Sequence, residues 1–412
     1  MKSKLYRLLY LLTNILVCVL NLFIRRDKQI WLFGAWMGNR FSDNPRYLYQ
    51  YVCENKDTLS VTKVIWVTRS TNVYTQLKNA GYQVHLCGTL NSFYWHIKAG
   101  VHVICDIPNN TGGFHGDIDG LFSWGAIKLQ TWHGVGVKAC GRLKNDSLNY
   151  KGLRFNKNLR YLFSPGGWDK CFWLVTSKED ARVKTLDFNL SKNQLIISCY
   201  PRNCKNLKYF NNEKHIIEQL RELRESGKKL VIYLPTFRSG NNENSFLAPA
   251  LIDGFLSFIN SHDIIWIEKR HSASTYHTNK IESPNVLYLS SNFDVNLIYD
   301  YVDVVVSDYS SSTSDALAKD VRVLHYVPDY EYYTKDDRGF VADYHSYNPG
   351  IVVKAPEEFL SALEETISDD YFVDERLNKY KECKSLLFDG YVPDMENIFH
   401  HIISKFDEHN EI

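Results

Sequence analysis

The sequence predicts an α/β protein built from two doubly wound domains that face each other across a cleft, preceded by a membrane-associated helix. Three observations carry this. From residue 29 onward short apolar runs alternate with helix-length amphipathic stretches, the pattern of parallel βαβ units. The series pauses once, near residue 192, and then resumes. A chain of 412 residues also exceeds one ordinary core and suits two domains of roughly 150–200 residues each.

In the first series the expected strands are Gln29–Phe33, Lys63–Val67, Gln83–Leu86, His102–Cys105, Lys128–Thr131 and Tyr161–Ser164. In the second they are Gln194–Ser198, Lys229–Leu234, Asp263–Lys269, Val286–Tyr288, Val302–Ser307 and Val321–His325. Most are rich in Val, Ile, Leu or aromatic residues and run into turn residues or a helical pattern. The polar stretch Asn189–Asn193, followed by the turn-rich CYPRNCKN, places the boundary near residue 192. The expected domains are therefore 29–192 and 193–375. From residue 356 the tail reads as helices (EEFLSALEETI, then ERLNKYKECKSLLF), with 376–412 as the C-terminal helices.

Residues 1–28 differ from everything after them. The stretch LYRLLYLLTNILVCVLNLFI, residues 5–24, is almost wholly apolar and no small-residue cleavage site follows it. Arg7, Asn14 and Asn21 recur every seven residues, with Thr13 beside Asn14, so a helix carries one narrow polar stripe. Lys2 and Lys4 precede it, and Arg25, Arg26 and Lys28 follow, with Asp27 offsetting one charge. Positive charge on both flanks favours a helix lying in the inner membrane interface, over a spanning or a core helix. The expected location is peripheral, on the cytoplasmic face of the cell membrane.

Composition narrows the function. The chain carries 48 basic and 47 acidic side chains, so it offers no general polyanion surface and no nucleic-acid partner is expected. Its nine cysteines are scattered without zinc-site spacing and read as reduced thiols. No GxGxxG opens a helix after the first strand, and no GxxxxGK[ST] occurs. The one DxD, Asp117 and Asp119, lies in the loop GGFHGDIDG and reads as a turn rather than a metal site.

Several strand ends carry groups suited to phosphate. In QTWHGVGVK (130–138), His133 follows a strand and is followed by Gly134 and Gly136, where a base or phosphate contact would sit; a core histidine is the alternative. In VDVVVSDYSSSTSDALAKD (302–320), a valine-rich strand leads through Ser307, Asp308, Ser310, Ser311 and Ser312 into a helix. One N-cap needs a single hydroxyl, and this cluster exceeds that need, which favours an anion site. Lys269, Arg270 and His271 close another strand, Thr236 and Arg238 follow a third, and CYPRNC adds Arg202. A solvated strand end explains each alone; together they converge on one cleft.

These residues carry a resemblance. From about residue 29 to 390 the chain resembles the CDP-glycerol glycerophosphotransferases of teichoic acid synthesis and their capsule-polymerase relatives. The matches keep one order: FSDNPRYLY at 41–49, TWHG at 131–134, YPRN at 200–203, YLPTFR at 233–238, KRH at 269–271, SDYSS at 307–311, DDRGF at 336–340 and PGIVV at 349–353. The resemblance implies a GT-B-like pair of Rossmann-like domains, with the CDP donor held mainly by the second. It also implies two functional histidines, His133 and His271.

An acceptor hydroxyl would then lose its proton to His133 as it attacks the donor phosphorus. His271, Arg238 and Ser310–Ser312 would stabilise the phosphates, with Arg202, Thr236, Lys269, Ser307 and Asp308 completing the site. The implied partners are CDP-glycerol or CDP-ribitol, a lipid-linked polymer acceptor and the membrane surface. No motif requires a cofactor, and the sequence leaves open whether Mg²⁺ assists. Cys199 and Cys204 stand where the family commonly has Gly and Asp, and Val135-Gly136-Val137 replaces Thr-Pro-Leu, so the polyol is open as well. A sugar-transferring GT-B enzyme is the main rival, and a tethered polymer-binding module the non-enzymatic one.

Overall fold

In the computed structural model the described residues are 2–106, 116–136, 138–140, 165–236, 248–269, 281–337, 339–389 and 392–410. The first sheet takes β1 (Asp27–Phe33), β2 (Lys63–Thr68), β3 (Val84–Leu86), β4 (Ala99–Ile104), β5 (Ile127–Gln130), β6 (Phe172–Val175) and β7 (Leu195–Ile197). Their order is β3-β2-β1-β4-β5-β6-β7, all parallel. The second takes β8 (Lys229–Leu234), β9 (Ile264–Glu268), β10 (Val286–Tyr288), β11 (Val304–Ser307), β12 (Arg322–Tyr326) and β13 (Ile351–Val353). Its order is β10-β9-β8-β11-β12-β13, also parallel throughout. Central strands such as β1 and β11 are covered on both faces, which is why they read as continuous apolar runs rather than alternating ones.

Strand order reverses between β1 and β4 in one sheet and between β8 and β11 in the other. Crevices form at the carboxyl ends of strands at such switch points. The segments leaving β1 and β8 carry Trp36, Arg40 and Thr236; those leaving β4 and β11 carry Cys105 and Ser310.

One expectation is corrected. The strand expected at 194–198 closes the first sheet as β7, paired with β6, so the crossover falls after Ile197 rather than near 192. Its own residues say nothing about which sheet it joins. Strands β6 and β13 were not expected, because FWLV and IVV are too short to stand out. The strand expected at Tyr161–Ser164 lies outside the described residues.

The tail also crosses over. The helix Met395–Asn410 returns to the first sheet, where Phe399 stacks on Trp31 at 5.5 Å and Phe406 packs on Phe172 at 5.3 Å. In the opposite direction, the helix Asp43–Asn55 pushes its first turns into the second domain. There Arg46 forms a two-pronged pair with Glu213, at 2.7 Å on each prong, and Tyr47 donates to Asp294 at 2.9 Å.

The N-terminal helix Lys2–Asn21 turns Asn14 and Asn21 toward the first domain, where Asn21 Oδ1 accepts from Arg26 Nε at 3.2 Å. Asn14 is buried, and its Oδ1 accepts from Trp124 Nε1 at 2.8 Å and from the Gly166 N–H at 3.2 Å. Arg26, just beyond the helix, donates to the carbonyls of Trp124, His96, Ala99 and Phe122. Leu12, Ile15, Leu16, Val19, Leu20, Leu22 and Phe23 face outward. Among the described residues no helix is long and apolar enough to cross a membrane.

Candidate active site at the inter-domain cleft

Two residues past β5 the backbone strains. Trp132 has φ +55°, a left-handed value that a bulky residue rarely adopts, and Trp36, Met37 and Asp43 opposite are also positive (+48°, +57° and +67°). The turn at Trp132 delivers His133 to the cleft. Its Nδ1 lies 2.9 Å from the Cys105 carbonyl, which can only accept. Nδ1 therefore carries the proton and Nε2 keeps the lone pair. Trp132 stacks on the ring at 4.2 Å and Trp36 lies 5.1 Å away. Burial lowers the imidazole pKa to about 4, with Asp106 opposing, so the ring is neutral near pH 7.

The DxD holds this loop system. Asp117 accepts from the backbone N–H groups of Met37, Cys105 and Asp106, tying the Trp36 turn to the strand end that holds His133. Asp119 pairs with Arg69 at 2.7 Å and accepts from the Gly88 N–H. Both carboxylates are thus engaged by the protein. Among the described residues no group of three or more His, Cys, Asp or Glu could hold a metal.

The serine loop approaches from the second domain. Gly134 has φ +151°, and a Cβ there would meet Ser311 Oγ at 2.3 Å, so the loops that carry His133 and the serines pass in contact. A cavity of about 350 Å³ opens beside this contact, lined by His133, Arg40, Thr236, Lys269 and Ser310–Ser312 among others. A larger groove of about 1040 Å³ lies at the opposite, amino-terminal ends of β8, β11 and β12. Its cations are largely paired, Lys319 with Asp300 and Arg224 with Asp303, and it contains none of the expected site residues.

Not every expected ligand turns to the cavity. Ser307 donates to the Leu234 carbonyl at 2.5 Å, and Asp308 accepts from the N–H groups of Thr236 and Tyr309, so both lace β11 to β8. Arg202 reaches the cavity wall but gives its N–H groups to Asp315 through Nε and Nη2, to Asp43 at 3.0 Å and to the His133 carbonyl at 2.8 Å. It fastens the histidine loop to both domains. Arg238 and His271 lie outside the described residues.

Sequence reasoning missed Asp43, Arg46, Asp294, Asp315, Arg40 and Trp36. The signal for the first two was present in FSDNPRYLY, where a polar quartet opens an otherwise apolar helix. Asp294 and Asp315 carried no such signal.

Two doubly wound domains that bring the ends of their switch-point strands to one cavity, lined by a neutral histidine, hydroxyls and cations, define a GT-B-type transferase. Residues 16–392 match the family described as CDP-Glycerol:Poly(glycerophosphate) glycerophosphotransferase, and the chain belongs to that family. It is 26% identical to a teichoic acid poly(glycerol phosphate) polymerase of Bacillus spizizenii over 405 residues, which cover 92% of this chain and 94% of the relative. Identity to a teichoic acid glycerol-phosphate transferase of Staphylococcus aureus is 25%, with 88% of each chain covered. The solved structure of the wall teichoic acid polymerase TagF is similar in fold, with a TM-score of 0.68 and 17% identity, covering 99% of this chain and 94% of that one. The protein is thus a CDP-glycerol glycerophosphotransferase-like enzyme of the teichoic acid polyol-phosphate transferases and polymerases.

Proposed function

We propose that this enzyme moves glycerol phosphate, or ribitol phosphate, from a CDP-activated donor to a hydroxyl on a lipid-linked polymer, with His133 as the general base. The acceptor oxygen attacks the phosphorus next to the polyol. A new P–O bond forms as the bridging P–O–P bond breaks, and CMP leaves with the electron pair. The acceptor proton passes to His133 Nε2. One observation carries this reading: the Cys105 carbonyl fixes Nδ1–H, which leaves a neutral, lone-pair-bearing Nε2 on a ring that lines the cavity. General-base catalysis of this kind contributes about 10²–10⁴ in rate.

The second domain offers Ser310, Ser311, Thr236 and Lys269 to the phosphates across the same cavity. His271 and Arg238, implied by family resemblance, complete the donor site in this reading. The outward Leu16, Leu20, Leu22 and Phe23, next to basic flanks, support a helix lying in the cytoplasmic membrane interface beside the acceptor.

A donor screen tests the proposal. CMP release and transfer of label to polymer are expected with CDP-glycerol or CDP-ribitol. Turnover of a nucleotide sugar but of neither CDP-polyol would replace it with the sugar-transferase reading, and no turnover at all with the binding-module reading. Flotation tests the membrane element: the full chain should rise with anionic vesicles, whereas replacing Leu16, Leu20, Leu22 and Phe23 by Ser should leave it in the pellet fraction.

A further inference from the structure

We propose that Arg40 of the first domain and Lys269 of the second form a clamp that binds one phosphate across the cleft, a role that rests on the polyol-phosphate reading above. Both line the cavity that contains His133. Among the described residues neither side chain has a carboxylate within ion-pair distance; the contact Arg40 makes is with the face of Trp36, at 5.6 Å.

Two other enclosed cations of this seam are paired with carboxylates. Arg46 holds Glu213, and Arg202 holds Asp43 and Asp315. The acidic groups closest in influence to Arg40, Asp294 and Asp43, are already engaged. Asp294 accepts from the Asp43 N–H, from Tyr47 and from Asn296; Asp43 accepts from Arg202 and Trp36.

The cavity's carboxylates, Asp43, Asp294 and Asp315, are thus bonded to other donors, and two partly desolvated cations that face it without an ion-pair partner are costly. They also oppose each other: the Lys269 ammonium is lowered to about 8, by burial first and by Arg40 second, with Asp294 opposing. An anion between them removes both costs at once. A guanidinium fork opposite an ammonium suits a phosphate, whose oxygens can take both. That phosphate is either the one transferred from the donor or the phosphodiester already present on a polymer acceptor.

Binding and turnover are measured in parallel for the full-length wild type, Arg40→Gln, Arg40→Lys and Lys269→Gln, after thermal melting shows each variant folded. The binding probe is inorganic pyrophosphate by calorimetry, which needs no turnover. Arg40→Gln and Lys269→Gln should each weaken it roughly 10- to 100-fold, and Arg40→Lys by less, because charge remains but the fork is lost. With CDP-glycerol, a higher donor KM in Arg40→Gln assigns the clamp to the donor phosphate. An unchanged donor KM, with a higher KM only for acceptors that carry a phosphodiester, assigns it to the acceptor.

Folded Arg40→Gln that binds pyrophosphate and turns over both acceptor types as wild type does would overturn the clamp. So would wild type that shows no pyrophosphate binding. Wild type that binds pyrophosphate but releases no CMP from a CDP-polyol would overturn the transferase reading instead, leaving the anion site standing.

Discussion

Arg202 and Arg40 enter the same seam between the domains, and their surroundings differ. Arg202 is 4% exposed, with its N–H groups on Asp315, Asp43 and the His133 carbonyl. Arg40 faces the cavity and has a tryptophan ring as its neighbour. The seam is therefore divided. One part is held shut by charges that compensate one another, and in the other Arg40 and Lys269 have no carboxylate within ion-pair distance among the described residues. The same division separates Ser307, bonded inward to Leu234, from Ser310 and Ser311 at the cavity wall.

The largest test breaks the closed part. Arg202→Ala strands Asp43 and Asp315 in the interior and should lower the unfolding free energy by about 3–5 kcal/mol, read by urea unfolding. A loss of under about 1 kcal/mol would mean that this network does not hold the seam.

Gly134→Ala should come next. A side chain 2.3 Å from Ser311 Oγ must push the two loops apart. Displacement of that order costs catalysis on the order of 10²-fold, so kcat should fall steeply, and the melting temperature should fall with it because the backbone there is strained for a non-glycine residue. Wild-type kcat would show that loop contact is unimportant.

The pH profile sharpens the open part. In the proposed mechanism His133 acts as a base only when neutral, so activity is expected above its pKa and is lost as pH falls through it. The acid limb of kcat/KM should lie near pH 4. Bound phosphates favour the imidazolium, so the acid limb of kcat should lie at higher pH than that of kcat/KM. A kcat limb displaced toward lower pH would contradict a base beside the phosphates.

The smallest pair compares serines. Ser307→Ala should cost stability, about 1 kcal/mol, and leave donor affinity alone. Ser310→Ala with Ser311→Ala should do the reverse, raising donor KM. Calorimetric unfolding and donor titration separate the two, and identical effects would erase the inward and outward distinction.

What the sequence made legible follows from how local each cause is. Strand β1 was legible because WLF is buried on both faces, and His133 because a strand-end histidine followed by glycines is a local pattern. The sheet that β7 joins was not, because that depends on pairing with Trp173–Val175. The role of Arg202 was hidden for the same reason: its carboxylate partners stand 159 and 113 positions away. Arg40, in the polar turn GNRFSDN, reads as a solvated surface residue until the second domain is placed opposite. The inward direction of Asn14 was not legible, because it depends on Trp124 and Gly166, far along the chain.

The central claim is that a neutral His133 takes the acceptor proton in a polyol-phosphate transfer. Single-turnover CMP release from CDP-glycerol, or from CDP-ribitol if the donor screen selects it, tests this most directly in wild type and His133→Ala with donor binding measured alongside. The expected result is donor affinity within about twofold of wild type and a transfer rate lower by at least about 10²-fold. A folded His133→Ala protein that transfers at the wild-type rate would contradict the account.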